Sequence, residues 1–190
     1  MTRLLAVAVV SASLARGGTI TGSVKVIPAR DSSNAVIYVD KIPGRAFQPP
    51  VKPVVLDQIN LTFVPHVLPV LAGTTVAFPN SDEVRHNVFS PSPPKRFNLG
   101  TYPRGVTRTV TFDKPGEVAL LCNVHAEMSA YVVVLETPFF AVTGRDGSIS
   151  IVGVPPGEHT VKVWHEKARP ATAKVAVKGE EKVTLNLVLK

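Results

Sequence analysis

Cysteine and methionine are nearly absent. The 190 residues hold one cysteine and two methionines, and one of the methionines is Met1. A single cysteine excludes an intrachain disulfide. Acids are fewer than bases, 14 against 21, so the chain carries a net charge of +7. No apolar run reaches the length of a membrane-spanning helix, and no fixed-period repeat marks a solenoid or propeller. No phosphate-cradling glycine loop, Ser-His-Asp set or paired carboxylates stand in a persuasive context. Aromatics make up 6% of the residues and do not interleave with the bases, which leaves nucleic-acid binding without a motif. Helical periodicity of ordinary length is missing as well. Thirteen glycines and seventeen prolines break the chain into short pieces, and Val and Thr recur within them, so the expectation is an all-β protein rich in turns.

The few sulfurs are concentrated. Cys122 and Met128 share one seven-residue stretch, Cys122-Asn123-Val124-His125-Ala126-Glu127-Met128, with His125 midway. His86 lies upstream in Arg85-His86-Asn87-Val88-Phe89. Two imidazoles, one thiolate and one thioether are the donors of a blue-copper electron-transfer site. A structural reading exists for each residue alone, since a lone Cys is usually core and a lone His on a strand is usually satisfied. As a set of four they point to copper.

The first residues read as an export signal. Arg3 is followed by the apolar stretch Leu4 to Val10 and by Ser13-Leu14-Ala15, a small-x-small pattern before a cut, which assigns 1–15 to a cleaved signal and the protein to the periplasm or another exported location. A buried N-terminal strand is the competing reading. An unpaired thiol is a liability in an oxidising compartment, and holding Cys122 on a metal removes it.

Three segments follow. Residues 19–40 contain an alternating run, Thr19 to Ile27, and a buried-type run, Ala35 to Val39. Residues 41–53 are a proline- and glycine-rich crossing linker. In 54–136, strands are expected at Leu61–Phe63, Val67–Leu71, Thr74–Phe78, Thr107–Phe112, Glu117–Cys122 and Tyr131–Leu135, with a turn at Ala72-Gly73. Ser90 to Pro103 carries four prolines and is expected to be a loop. In 137–190, turns at Gly144-Arg-Asp-Gly147 and Pro155-Pro-Gly157 separate four further strands. The ligand loop would then join two adjacent strands, a rigid mount for three donors.

Residues 54–136 resemble the cupredoxins, the family of plastocyanin, amicyanin and pseudoazurin. The resemblance rests on Gly73-Thr-Thr-Val-Ala-Phe-Pro-Asn80, on His86-Asn87, and on Cys122-x-x-His125-x-x-Met128, whose short spacing is that of amicyanin and pseudoazurin. It implies a Greek-key β-sandwich and one type 1 copper ion, with His86, Cys122 and His125 as equatorial ligands and Met128 as the weak axial one. It also implies that Asn87 ties the ligand loops together. The flanks, 19–40 and 137–190, are similar to a carboxypeptidase regulatory-like β-sandwich through Thr19–Val24, Asn34–Tyr38 and Asp146–Val161. Either one split module holds the cupredoxin as an insert, or 19–40 extends the cupredoxin and 137–190 stands apart. The whole chain resembles exported proteins labelled methylamine-utilisation or plastocyanin-like.

Four donors leave no open position for a substrate, which favours a one-electron carrier over an enzyme. Copper delivery or storage, and an extracellular binding module with an incidental copper site, are the alternatives. Arg85, Lys95, Arg96, Arg104, Arg108 and Lys114 lie between 85 and 114, where Asp113 is the one acid. As a group they suit a redox partner with an acidic docking surface, in solution or on a membrane-associated electron-transfer complex. His66 falls outside the ligand pattern, with a structural role as its first reading and metal involvement as its second. His159 and His165 fit strand alternation and receive no ligand role. Trp164 is read as a packing residue.

Overall fold

In the computed structural model the described residues are 17–190, and the export signal read at 1–15 lies outside them. Seventeen strands and no helix make up the described residues, so the chain is all-β as its composition indicates.

The chain opens with β1 (Gly18–Val26) and β2 (Val36–Val39). After the strandless 41–53 linker come β3 (Val54–Val55), β4 (Asp57–Ile59), β5 (Thr62–Val64), β6 (Val67–Leu71), β7 (Thr74–Pro79) and β8 (His86–Ser90). Next are β9 (Phe97–Tyr102), β10 (Thr107–Phe112), β11 (Gly116–Leu121) and β12 (Ser129–Leu135). The chain closes with β13 (Phe140–Val142), β14 (Ser148–Val154), β15 (Gly157–His165), β16 (Ala168–Val177) and β17 (Lys182–Leu189).

The central strands form a five-stranded sheet, β6-β12-β11-β8-β9, a three-stranded sheet, β10-β7-β3, and the small hairpin β4-β5. Between them lies a core that includes Leu56, Phe63, Phe78, Val88, Tyr102, Phe112, Leu120 and Val132. Three of its rings, Phe78, Phe97 and Phe112, stack within 6.5 Å of one another. Cutting a buried ring such as Phe78 or Phe112 to alanine would cost about 3–5 kcal/mol.

The two flanks meet. β1 pairs antiparallel with β14 and parallel with β17, and β2 lies between β13 and β15 in a second sheet that ends on β16. These two sheets enclose a core of their own, built on Ile20, Val24, Ile37, Ile151, Val161, Val163 and Leu189. Gly22 is needed for this. It has φ 140° and a Cβ there would run into the Leu185 backbone of β17. The central strands leave the flanking sheets after β2 and return at β13, and Phe140 pairs with Tyr38 across that gap. A third cluster, Val36, Val67, Val133, Leu135 and Trp164, joins the two sandwiches, with Tyr131 stacked on Trp164 at 5.1 Å.

Two expectations need correction. The proline-rich stretch 90–103 is not wholly a loop, because Phe97–Tyr102 forms β9 and pairs with β8. Proline cannot donate to a ladder, but Pro91, Pro93 and Pro94 precede β9 and Pro103 follows it, so none has to. Leu61 is a turn residue and not a strand residue. Asn60 and Leu61, at φ 50° and 59°, form the tight connection between β4 and β5, as two-residue hairpin turns of the primed type require.

His159 and His165 are buried and structural. His159 Nε2 donates to the Pro155 carbonyl at 2.7 Å. His165 Nδ1 accepts from the Lys167 N–H at 3.1 Å, and its other nitrogen donates to the Ser33 backbone. Burial pushes the His165 imidazole below its ordinary 6.5, outweighing the nearby Glu166 carboxylate, while Lys167 and His66 add to the lowering. The unfolded chain therefore takes up this proton first as pH falls. The stability contributed by neutral His165 is full above about 6.5 and is lost as pH drops through the lower folded value. Urea unfolding of the wild type and His165→Gln, followed from about pH 8 to about pH 5, should show the wild type losing more stability. Parallel profiles would rule this out.

Candidate metal centre

The site is built by one hairpin and one neighbouring strand. β11 and β12 pair antiparallel from Gly116↔Val134 to Leu121↔Ser129, and the seven residues between them are the ligand loop. The loop folds on itself: Cys122 N–H donates to the Met128 carbonyl at 3.3 Å, and Met128 N–H to the His125 carbonyl at 3.1 Å. β8 lies beside β11, with Phe89 opposite Leu121, and this register brings its first residue, His86, to the loop.

Three donors converge. His86, Cys122 and His125 place one ligand atom each within 4.8 Å of one another. The Nδ1 atoms of His86 and His125 face each other at 3.0 Å, with the rings 4.8 Å apart at 65°. Cys122 Sγ receives the Val124 N–H at 3.4 Å. His86 and Cys122 are buried, while His125 is half-buried. Met128 is 1% exposed and belongs to the same apolar cluster as Cys122, Phe78 and Val88. The sequence-read quartet thus falls at one end of the central sandwich, with its sulfurs on the dry side and His125 toward solvent.

Asp82 fixes the His86 ring, and nothing in the sequence singled it out. Its Oδ2 accepts from His86 Nε2 at 2.9 Å and from the Leu61 N–H at 2.7 Å, and its Oδ1 accepts from the Glu83 N–H at 2.9 Å. The Leu61 N–H first, and the His86 ring second, hold the Asp82 carboxyl below the usual carboxylate range. With Nε2 carrying its proton toward Asp82, the lone pair of His86 sits on Nδ1 and points at His125. A carboxylate behind a metal-binding imidazole sets the tautomer in this way. The left-handed Leu61 turn is part of the arrangement, because it aims the amide that holds Asp82. The signal available in the sequence was the carboxylate four residues before His86.

Asn87 behaves differently from what the resemblance implied. Its Nδ2 donates to Asn98 Oδ1 on β9 at 2.9 Å, and its buried Oδ1 has no partner. It therefore ties β8 to β9 and not to the ligand loop. His66 lies outside the converging trio. Its nitrogens face the Ser129 carbonyl and Glu166.

The donor set suits a soft, thiophilic transition ion. A thiolate and a thioether select copper over hard cations, and imidazole is compatible with it. The opposed Nδ1 atoms also fit a shared ion, since without one a ring would have to present a proton to the other's lone pair.

No family model matches the chain, and no curated protein matches it. Several solved structures align with part of it. A purple cupredoxin from Nitrosopumilus maritimus is 24% identical over 43% of this chain and 98% of its own, with a TM-score of 0.39. A reduced amicyanin variant is 22% identical over 46% of this chain and 91% of its own, with a TM-score of 0.42. A copper-containing nitrite reductase from Thermus scotoductus SA-01 is 26% identical over 60% of this chain and 28% of its own, with a TM-score of 0.44. These likenesses are partial and distant, and the reading of the site rests on its own residues.

Asp82→Asn should weaken metal binding by about tenfold or more. The amide cannot accept at both positions, so at least one of the His86, Leu61 and Glu83 donors loses its acceptor. Chelator-competition titration of the copper affinity measures the loss, and an affinity equal to wild type would show that Asp82 does not orient the ligand.

Proposed function

We propose that this chain is an exported protein that holds one copper ion of the type 1 class and carries single electrons between partners. The observation that carries the reading is the convergence of one ring nitrogen each of His86 and His125 with Cys122 Sγ, all within 4.8 Å. His86, Cys122 and His125 would hold the ion, with Met128 as the distant thioether. Copper bound there would supply a one-electron couple, since this donor set lies between the preferences of Cu(I) and Cu(II).

The chain's own residues do the rest. Asp82 keeps His86 in the tautomer that offers Nδ1. The Val124 N–H, directed at Cys122 Sγ, withdraws charge from the thiolate. Phe78 and Val88, both fully buried, keep water from the sulfur side, and a dry, apolar surround tunes the potential of such a site. His125 is the donor with an exposed edge, so it offers the shortest way out for an electron. Val124, 47% exposed beside it, gives a partner an apolar foothold. Four donors leave no place for a substrate, so we read no catalytic role.

The basic residues between 85 and 114 would orient an acidic partner. Part of their charge is engaged locally. Arg104 pairs with Glu83, and Lys95 pairs with Asp113 at 3.2 Å. Arg108 lies over the Tyr102 ring at 5.2 Å and bonds to the Leu99 carbonyl, and Arg85 reaches the Thr101 carbonyl at 3.3 Å.

Copper-loaded protein should show intense visible absorption from thiolate-to-copper charge transfer, and Cys122→Ser should abolish it. A band that survives the substitution would remove the ligand assignment. A slow or irreversible couple in voltammetry would favour copper handling over electron transfer. Electron transfer to an acidic protein should slow as salt rises from about 10 mM to about 150 mM, because the Debye length shrinks from about 30 Å to about 8 Å. A flat salt profile would take the steering role from the basic segment.

A further inference from the structure

His66 stands just before β6, outside the ligand set, and both of its ring nitrogens face acceptors. Nδ1 lies 3.1 Å from the Ser129 carbonyl, and Nε2 lies 3.1 Å from Glu166 Oε1. A carbonyl can only accept. Glu166 also receives the Tyr131 hydroxyl. The His66 ring is therefore seated between a carbonyl of the central sandwich and a carboxyl of the flanking one.

The three partners come from different places. Ser129 opens β12, one residue past Met128. Glu166 sits in the turn between β15 and β16 of the flanking sandwich. The backbone carbonyl of His66 also accepts the Tyr131 N–H at 2.9 Å, and the His66 ring packs edge-on against Tyr131 at 5.8 Å. Tyr131 in turn stacks on Trp164. The parallel β6–β12 pairing begins at Val67↔Tyr131, so the His66 side chain extends the grip toward the ligand loop. His165 is the other imidazole facing His66, and burial pushes it below its ordinary value.

We propose that His66 is a positioning residue: its ring, seated between the Ser129 carbonyl and Glu166, lets the flanking sandwich fix the end of the ligand loop at Ser129. This rests on the copper reading for its purpose. The Met128 carbonyl closes the loop onto Cys122 N–H, so a Ser129 that drifts takes both sulfur donors with it. The axial ligand tunes the potential of a blue-copper site. The flanking sandwich is then part of the apparatus that sets the potential, which gives the second core a function beyond its own folding.

The test uses the metal-free full chain, so its outcome does not depend on copper binding, which the Cys122→Ser spectrum decides separately. Glu166→Ala should speed amide exchange at Cys122 and Met128 by roughly tenfold, the scale of one lost hydrogen bond. Exchange at Val161, within the flanking core, should stay unchanged. Glu166→Gln, whose side-chain oxygen still accepts, should retain most of the protection. Unchanged exchange at Cys122 and Met128 on Glu166→Ala overturns the proposal, and so does an equal rise at Val161, which would mean general loosening.

Discussion

Everything at the site depends on keeping two imidazole lone pairs and one thiolate in the same small space at the end of a sandwich. Lone pairs repel, and a thiolate in an apolar wall is expensive unless paired. The chain meets this constraint with backbone. The β11–β12 hairpin fixes the loop ends, two hydrogen bonds fold the loop on itself, and the register of β8 against β11 delivers His86. On the proposed function, a site set by backbone in this way would have little to move when the charge on its ion changes. The Asp82–His86 bond acts on the same constraint from behind, because it decides which nitrogen is bare.

The support extends outward in two directions. On one side the Asn60-Leu61 turn, in left-handed conformation, spends backbone strain to aim an amide at Asp82. A branched aliphatic residue with positive φ is uncommon, and its position here is explained by the bond it makes. On the other side Ser129 is held through His66 by a turn of the flanking sandwich. The apolar joint of Val67, Val133, Leu135 and Trp164 makes that second support stiff, because a hydrogen bond can position a loop only if its far end is itself fixed.

The residues that were readable from sequence are those whose chemistry is rare. Cys122, His125 and Met128 announce themselves by spacing, and His86 by its place before Asn87. The strands that alternate cleanly, such as Thr107–Phe112 and Thr160–Trp164, follow from period-2 burial and are found where expected. What escaped is what depends on contacts distant in sequence. β9 looked like loop because of its flanking prolines, yet β8 supplies the partner that makes Phe97–Tyr102 a strand. The pairing of β1 with β17 spans most of the chain, and no local pattern encodes it. Asp82 and Glu166 are ordinary acids until the fold places an imidazole against each. Asn87 went the other way. A role carried over from resemblance gave way to the Asn98 side chain, which happens to be closer at hand.

The surface charge obeys a similar logic at longer range. The Arg104–Glu83 and Lys95–Asp113 pairs are exposed, and such pairs contribute only about 0–1 kcal/mol to stability. Their presence is therefore weakly explained by folding. Pairing also does not erase the field, because six bases between 85 and 114 outnumber the acids that meet them. A local pair cancels charge at contact distance and leaves the excess to act at a Debye length of about 8 Å or more. Arg85 adjoins the buried His86, so that excess begins next to the metal site. On the proposed function, the part of this charge that lies at the His86 end of the strands, on Arg85, Arg104 and Arg108, would favour approaches that bring an acidic partner to His125 without any single bridge having to be strong.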